Sequence, residues 1–151
     1  MLNRLRSVFE SLQDHDVRYV VIGGIAAVLH GVPRATFDPD LLIEASPDNA
    51  QRLLDALLDA KPVTASLITT KELLAKEITV FKDWVRIDVQ ILAPGLTFEQ
   101  ARQIRVQMEY QGQHSLVASR GDLIASKKAA RRPVDLEDIR LLGGDRDARQ
   151  E

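Results

Sequence analysis

Asp38 and Asp40, separated by a single residue, are the side chains of this sequence with the clearest chemical potential. Side chains alternate faces along a strand, so a strand through this segment points both carboxylates the same way. Two carboxylates on one face repel each other unless a positive charge lies between them, and a hard divalent cation with oxygen ligands meets that need. Upstream, the apolar run Val20-Val21-Ile22 meets Gly23-Gly24, followed by a short apolar stretch that closes at His30-Gly31. A strand–Gly-Gly–helix turn presents backbone N–H groups at a helix N-terminus, which attracts phosphate. Phosphate on one side and magnesium (or manganese) on the other is the chemistry of nucleotidyl transfer. The dull alternatives are a tight turn without a ligand at the glycines and a mere turn start at Asp-Pro-Asp.

The elements that must position these groups follow from periodicity. Leu2, Leu5, Val8, Phe9 and Leu12 have helical spacing and predict a first helix ending near Asp14. Residues 17–22 read as a central strand, 24–30 as a short helix capped by Gly31, and 38–43 as a second strand. Ser46-Pro47 marks a helix start, with Leu53, Leu54, Leu57 and Leu58 as its buried stripe. A short helix is expected from Thr70, then a hairpin of 77–81 and 84–91 turning at Lys82-Asp83. In its second arm Val85, Ile87, Val89 and Ile91 form the core face, and Arg86, Asp88 and Gln90 the polar one. Thr97-Phe98-Glu99-Gln100 is a capping box. Strands over 104–110 and 115–117 turn at Gln111-Gly112; a Ser119-capped helix and a last helix from Pro133 follow, the latter burying Leu136, Ile139 and Leu142. Early alternation and later hairpins predict an α/β (α+β) fold, a mixed sheet with helices packed on it. One domain over 1–143 and a polar tail over 144–151 are expected.

The composition excludes several classes. The 151 residues carry 20 Lys and Arg against 22 Asp and Glu, so the chain as a whole is no nucleic-acid wrapper. With no cysteine there is no thiol nucleophile, disulfide or zinc–thiolate site, which suits a cytoplasmic setting. No apolar run approaches membrane-spanning length, and the N-terminus reads as an amphipathic helix instead of a signal peptide. No Ser-His-Asp or metal-histidine spacing occurs; His30, at the end of the Gly-Gly helix, reads as structural.

In order, Ile22-Gly23-Gly24, Asp38-Pro39-Asp40-Leu41 and a later strand aspartate resemble the DNA polymerase β superfamily of nucleotidyltransferases. The similarity is greatest to small stand-alone bacterial members, some linked to toxin–antitoxin and phage-defence systems, in which Arg-x-Thr often precedes the first aspartate, as Arg34-Ala35-Thr36 does here. The resemblance implies Asp38, Asp40 and Asp88 as metal ligands and catalytic carboxylates, and Gly23, Gly24, Arg34 and Lys127 as nucleotide contacts. It implies Mg2+ as cofactor, a nucleoside triphosphate as substrate, and a protein, RNA end or small molecule as hydroxyl acceptor. The pattern alone leaves Asp88 equally well explained as a solvent-facing residue paired with Arg86. The basic set Arg120, Lys127, Lys128, Arg131 and Arg132 reads first as a solvated helix face, neutralised by Asp135, Glu137 and Asp138. Pro39 departs from the family, which has an aliphatic residue there; proline belongs at strand starts, edges or bulges. The alternative to an enzyme is a non-catalytic module of the same fold, acting as a regulatory or toxin–antitoxin partner.

Overall fold

The computed structural model describes residues 2–35, 38–60, 68–82, 85–110 and 112–143, with side chains from Leu5 onward. Six strands form one mixed sheet in the order β3-β4-β2-β1-β6-β5. They are β1 (Tyr19–Ile22), β2 (Asp40–Ile43), β3 (Ile78–Lys82), β4 (Arg86–Gln90), β5 (Val106–Tyr110) and β6 (Gln113–Val117). The helices are α1 (Leu2–Asp14), α2 (Gly23–Leu29), α3 (Pro47–Asp59), α4 (Thr70–Leu74), α5 (Phe98–Gln103), α6 (Arg120–Ala130) and α7 (Pro133–Leu141). The mixed sheet with packed helices is the architecture the sequence predicts. Among the described residues no helix is long and apolar enough to cross a membrane.

Strands β1 and β2 are the centre of the molecule because both are apolar on both faces. All four residues of β1 and Leu41, Leu42 and Ile43 of β2 are buried. They pair antiparallel, with Tyr19 opposite Ile43 at one end and Ile22 opposite Asp40 at the other. Strand β4 lies parallel to β2 on the far side, placing Asp88 beside Asp40. Strand β6 lies parallel to β1, with Val21 paired to Val117. The first helix buries Leu5, Val8, Phe9 and Leu12 at the predicted spacing, and its Phe9 ring meets Tyr110 edge-on at 5.6 Å.

Local signals set the element ends as expected. Ser46, Thr69, Thr97 and Ser119 each accept a backbone N–H of the first turn they cap, and Thr97 forms the full capping box with Gln100. Gly31, at φ +106°, leaves α2 in a conformation that glycine adopts at little cost. His30 is structural, its Nε2 lying 2.8 Å from the Ala118 carbonyl at the end of β6.

Two buried-stripe expectations fail. Leu58, in the last turn of α3, is 43% exposed, and Leu136 of α7 is 59% exposed. The inward face of α7 is built instead from Asp135, Asp138, Ile139 and Leu142. The hairpin turn at Asp83, the Gln111 turn, Thr36 and the tail 144–151 lie outside the described residues.

Asn49, buried in the first turn of α3, holds the ends of β1 and β2 together. Its Oδ1 accepts the Arg18 N–H at 2.7 Å, and its Nδ2 donates to the carbonyls of Arg18 and Glu44 at 3.0 and 2.9 Å. Removing it strands the Glu44 carbonyl and the Arg18 N–H beside the central strands, while the Arg18 carbonyl keeps the Glu44 N–H. Asn49→Ala is therefore expected to lower stability by about 2–4 kcal/mol, measured as a lower urea midpoint at unchanged slope.

Candidate functional site

At the C-terminal end of β1 the chain turns at Gly23 with φ +73°. The turn has no side chain because there is no room for one. A Cβ on Gly23 would come within 2.2 Å of Asp40 Oδ2, so the backbone of the Gly-Gly turn lies directly against the carboxylate. Gly24 follows in the first turn of α2, whose N-terminus carries no side-chain cap.

Asp40 opens β2 and stands in register with Asp88 of β4. The two strands are joined just before this point by the Asp88 N–H donating to the Pro39 carbonyl at 3.0 Å. Pro39 is thus accommodated at a strand start, where its carbonyl is used in the ladder. The neighbourhood of Asp40 is hostile to its charge. Burial, and after it the Asp88 charge and a carboxyl–carboxylate hydrogen bond, push the Asp40 pKa up to about 7 from 3.8. Arg132 and a 3.5 Å contact from Gln90 Nε2 partly offset this. Asp88 is held by Arg86, which donates from Nε at 3.0 Å and Nη2 at 3.3 Å. That pairing raises the Arg86 pKa.

Asp38 is in a different position from the one its spacing suggested. The strand begins at Asp40, so Asp38 lies in the irregular segment ahead of it, exposed, and acts electrostatically on Arg86. Among the described residues no three acidic or histidine side chains are grouped as a metal site. The structure brings Asp40 and Asp88 together at Gly23, and Asp38, in the segment ahead of them, acts on the same Arg86.

The cleft beside the aspartates has a volume of about 380 Å³, bounded by the β1–α2 turn, β4, α6 and the start of α7. Lys127 lies in its wall, but its ammonium is 2.9 Å from Asp138 and 3.6 Å from Asp135, all three groups buried. Arg34, expected as a free phosphate contact, ion-pairs with the same Asp138 oxygen at 3.3 Å. Arg132 binds Asp135 through Nε at 2.8 Å and Nη2 at 3.1 Å, and its backbone N–H is capped by the same carboxylate. Burial raises the Asp135 pKa, but the Arg132 hydrogen bonds outweigh it and the net shift is downward. Arg132 is the cation of the basic set that bears on Asp40. Sequence reasoning grouped it with a solvated face and did not single out Gln90. The available signal for Gln90 was its position two residues beyond Asp88 on the same polar face.

This arrangement is a glycine turn pressed on a carboxylate pair at the ends of adjacent strands, beneath an arginine. The family model of nucleotidyltransferases of unknown function, DUF6036, matches residues 2–142.

The chain belongs to this nucleotidyltransferase family.

Comparison with curated proteins gives no match. Among solved structures the chain is similar to a Thermotoga maritima protein described as a "putative nucleotidyltransferase", at 17% identity and a TM-score of 0.59. The likeness covers 97% of this chain and 92% of that one. The fold of this family member is therefore the nucleotidyltransferase fold, with Asp40 and Asp88 on neighbouring strands of its sheet.

Gly23→Ala tests the contact between turn and carboxylate. The methyl group must displace Asp40 and take up a left-handed conformation, at a cost of about 1–3 kcal/mol. The expected result is a lower unfolding midpoint, read by thermal denaturation. Ala at Gly31, where no atom lies within 4 Å of an added Cβ, should lower stability through its positive φ alone.

Proposed function

We propose that the protein transfers a nucleoside monophosphate from a nucleoside triphosphate to a hydroxyl acceptor on a protein, an RNA end or a small molecule, releasing pyrophosphate in a magnesium-dependent reaction. The observation that carries this reading is the in-register pair Asp40 and Asp88 against Gly23. The donor set fits a hard divalent cation: oxygen ligands only, two carboxylates in contact, and a site where one of them cannot ionise readily beside the other. Asp40 and Asp88 would hold the cation, with Asp38 as the third proposed ligand at the exposed lip. When bound, Mg2+ supplies charge neutralisation for the phosphates and lowers the pKa of an attacking hydroxyl.

The chain's own residues do the positioning. The Gly23-Gly24 turn brings backbone N–H groups beside Asp40, where a triphosphate oxygen can be received. Arg132, facing Asp40, offers positive charge to a phosphate entering the cleft. Lys127 is the further phosphate candidate, and its release from Asp135 and Asp138 is the condition for that role. Asp88, once freed from Arg86, can accept the proton of the acceptor hydroxyl. Arg34, turned toward Asp138, serves the site by holding the α6–α7 wall.

A second reading has its own observation. Asp88 and Lys127 are both neutralised by partners within the protein, as suits a non-catalytic nucleotidyltransferase-fold module that acts as a regulatory or toxin–antitoxin partner. Label transfer separates the two. With a radiolabelled nucleoside triphosphate, Mg2+ and cell extract as the acceptor source, wild type should yield labelled product. Asp40→Asn and Asp88→Asn should each lose at least about a hundredfold in rate, as expected when transition-state charge stabilisation is removed. Pro39→Ile, which keeps the carbonyl that Asp88 uses, should retain or raise activity. Transfer that persists without either aspartate contradicts the catalytic assignment, and nucleotide-independent binding of a protein partner by an inactive wild type supports the second reading.

A further inference from the structure

A second concavity, of about 340 Å³, lies at the opposite ends of the central strands. Tyr19 pairs with Ile43 there, while Ile22 and Asp40 mark the other end of the same ladder. Three residue steps of about 3.3 Å separate the two ends, so the sites lie about 10 Å apart along the sheet. Four arginines from four different elements line this cavity: Arg18 ahead of β1, Arg52 on α3, Arg102 on α5 and Arg105 ahead of β5. Its floor is apolar, from Leu12, Val17 and Leu116.

The charges here are poorly balanced. Arg18 pairs with Glu44 at 3.0 Å. Among the described residues, Arg52, Arg102 and Arg105 make no ion pair with a carboxylate. Asp16 is the acidic group in the lining. Yet three of the four side chains, those of Arg18, Arg102 and Arg105, are anchored instead of loose. Arg105 Nη1 donates to the Arg102 carbonyl at 2.7 Å, and Arg102 lies 5.9 Å over the Phe98 ring. Asn49 fixes the backbone of both Arg18 and Glu44. Burial, and then the charges of Arg105 and Arg18, lower the Arg102 pKa, and Glu44 opposes them only in part. This occurs on a chain whose formal net charge is −2, so the cluster is no reflection of a basic protein.

We propose that this cavity binds a small phosphate-bearing ligand of nucleotide size, at a site separate from the Asp40–Asp88 cleft. Guanidinium forks match phosphate oxygens in pairs. The volume suits a ligand of about one nucleotide, and the apolar floor can receive its organic part. The arginines line a hollow; a nucleic-acid backbone is usually tracked by a stripe of cations with a run of aromatic rings for base stacking, whereas this lining offers a buried Tyr19 and a single exposed His114 ring. The assignment stands independently of the transfer reaction.

Calorimetric titration of the whole protein in EDTA, with inorganic phosphate, pyrophosphate and adenosine monophosphate as probes, tests it. Saturable binding of adenosine monophosphate or pyrophosphate is expected, and each of Arg102→Ala and Arg105→Ala should weaken it about tenfold, the effect of losing one charge-assisted contact. Arg105 is exposed, so its variant keeps the test valid if Arg102→Ala folds poorly. Tighter binding of the nucleotide than of pyrophosphate assigns the apolar floor to the base or sugar; the reverse assigns the site to the bare oligophosphate. Arg132→Ala, at the other cleft, should leave binding unchanged. Absence of saturable binding, binding that depends on Arg132 but not on Arg102 or Arg105, or a single-stranded oligonucleotide binding far more tightly than adenosine monophosphate would each overturn the proposal.

Discussion

Two carboxylates held side by side at the end of a buried ladder are the constraint around which this molecule is organised. Asp40 and Asp88 are brought together by strand register, which is set by the apolar residues behind them and not by any attraction between the acids. Ionising both in a partly buried cleft is unfavourable. At about 1.4 kcal/mol per pKa unit, a rise from 3.8 to about 7 amounts to a penalty of a few kcal/mol on the charged pair. The surroundings answer it piece by piece: Arg86 takes Asp88, Gln90 and Arg132 face Asp40, and Gly23 gives up a side chain so that the carboxylate can sit against the turn. Those compensations are partial, and the Asp40 pKa still ends near 7.

The wall of the cleft obeys the same economy of charge. Lys127, Asp135 and Asp138 are buried together, and Arg34 and Arg132 close the network from either side. Breaking a buried ion pair by removing one partner is costly because the other is left uncompensated. The network therefore fixes the angle between α6 and α7 and, through Arg132, where positive charge meets Asp40. A phosphate entering the cleft would compete with Asp135 and Asp138 for Lys127 and Arg132, so ligand binding and the packing of α7 are linked.

The sequence made most of this fold legible, for reasons that particular residues show. Caps at Ser46, Thr97 and Ser119 act locally, so their signals survive without knowledge of neighbours. The all-apolar β1 announces a central strand. Gly23, Asp40 and Asp88 were singled out by an order that resembles a family pattern, although the pattern alone left Asp88 equally well explained as a partner of Arg86. Leu136 was misread because helical periodicity gives an angle around an axis and not what lies opposite; α7 turns Asp135 and Asp138 inward because Lys127, Arg34 and Arg132 await them. Leu58 failed for a related reason, lying in the last turn of α3. The arginine cavity, assembled from residues 18 to 105, had no local pattern at all.

The most direct test of the central claim is the thermal stability of the metal-free protein against pH, for wild type and Asp40→Asn. A carboxyl whose folded pKa is raised from 3.8 to about 7 contributes stability in its neutral form; that contribution is fully present below the unfolded value and is lost as pH rises through about 7. Wild type should therefore lose stability across this window, and Asp40→Asn should lose less, ending above wild type at pH ~8 by roughly 5 °C or more, at about 2–4 °C per kcal/mol for a chain of this size. Adding Mg2+ at that pH should raise the wild-type midpoint and leave the variant unmoved. Parallel pH profiles for the two proteins, or equal stabilisation of both by Mg2+, would contradict the account.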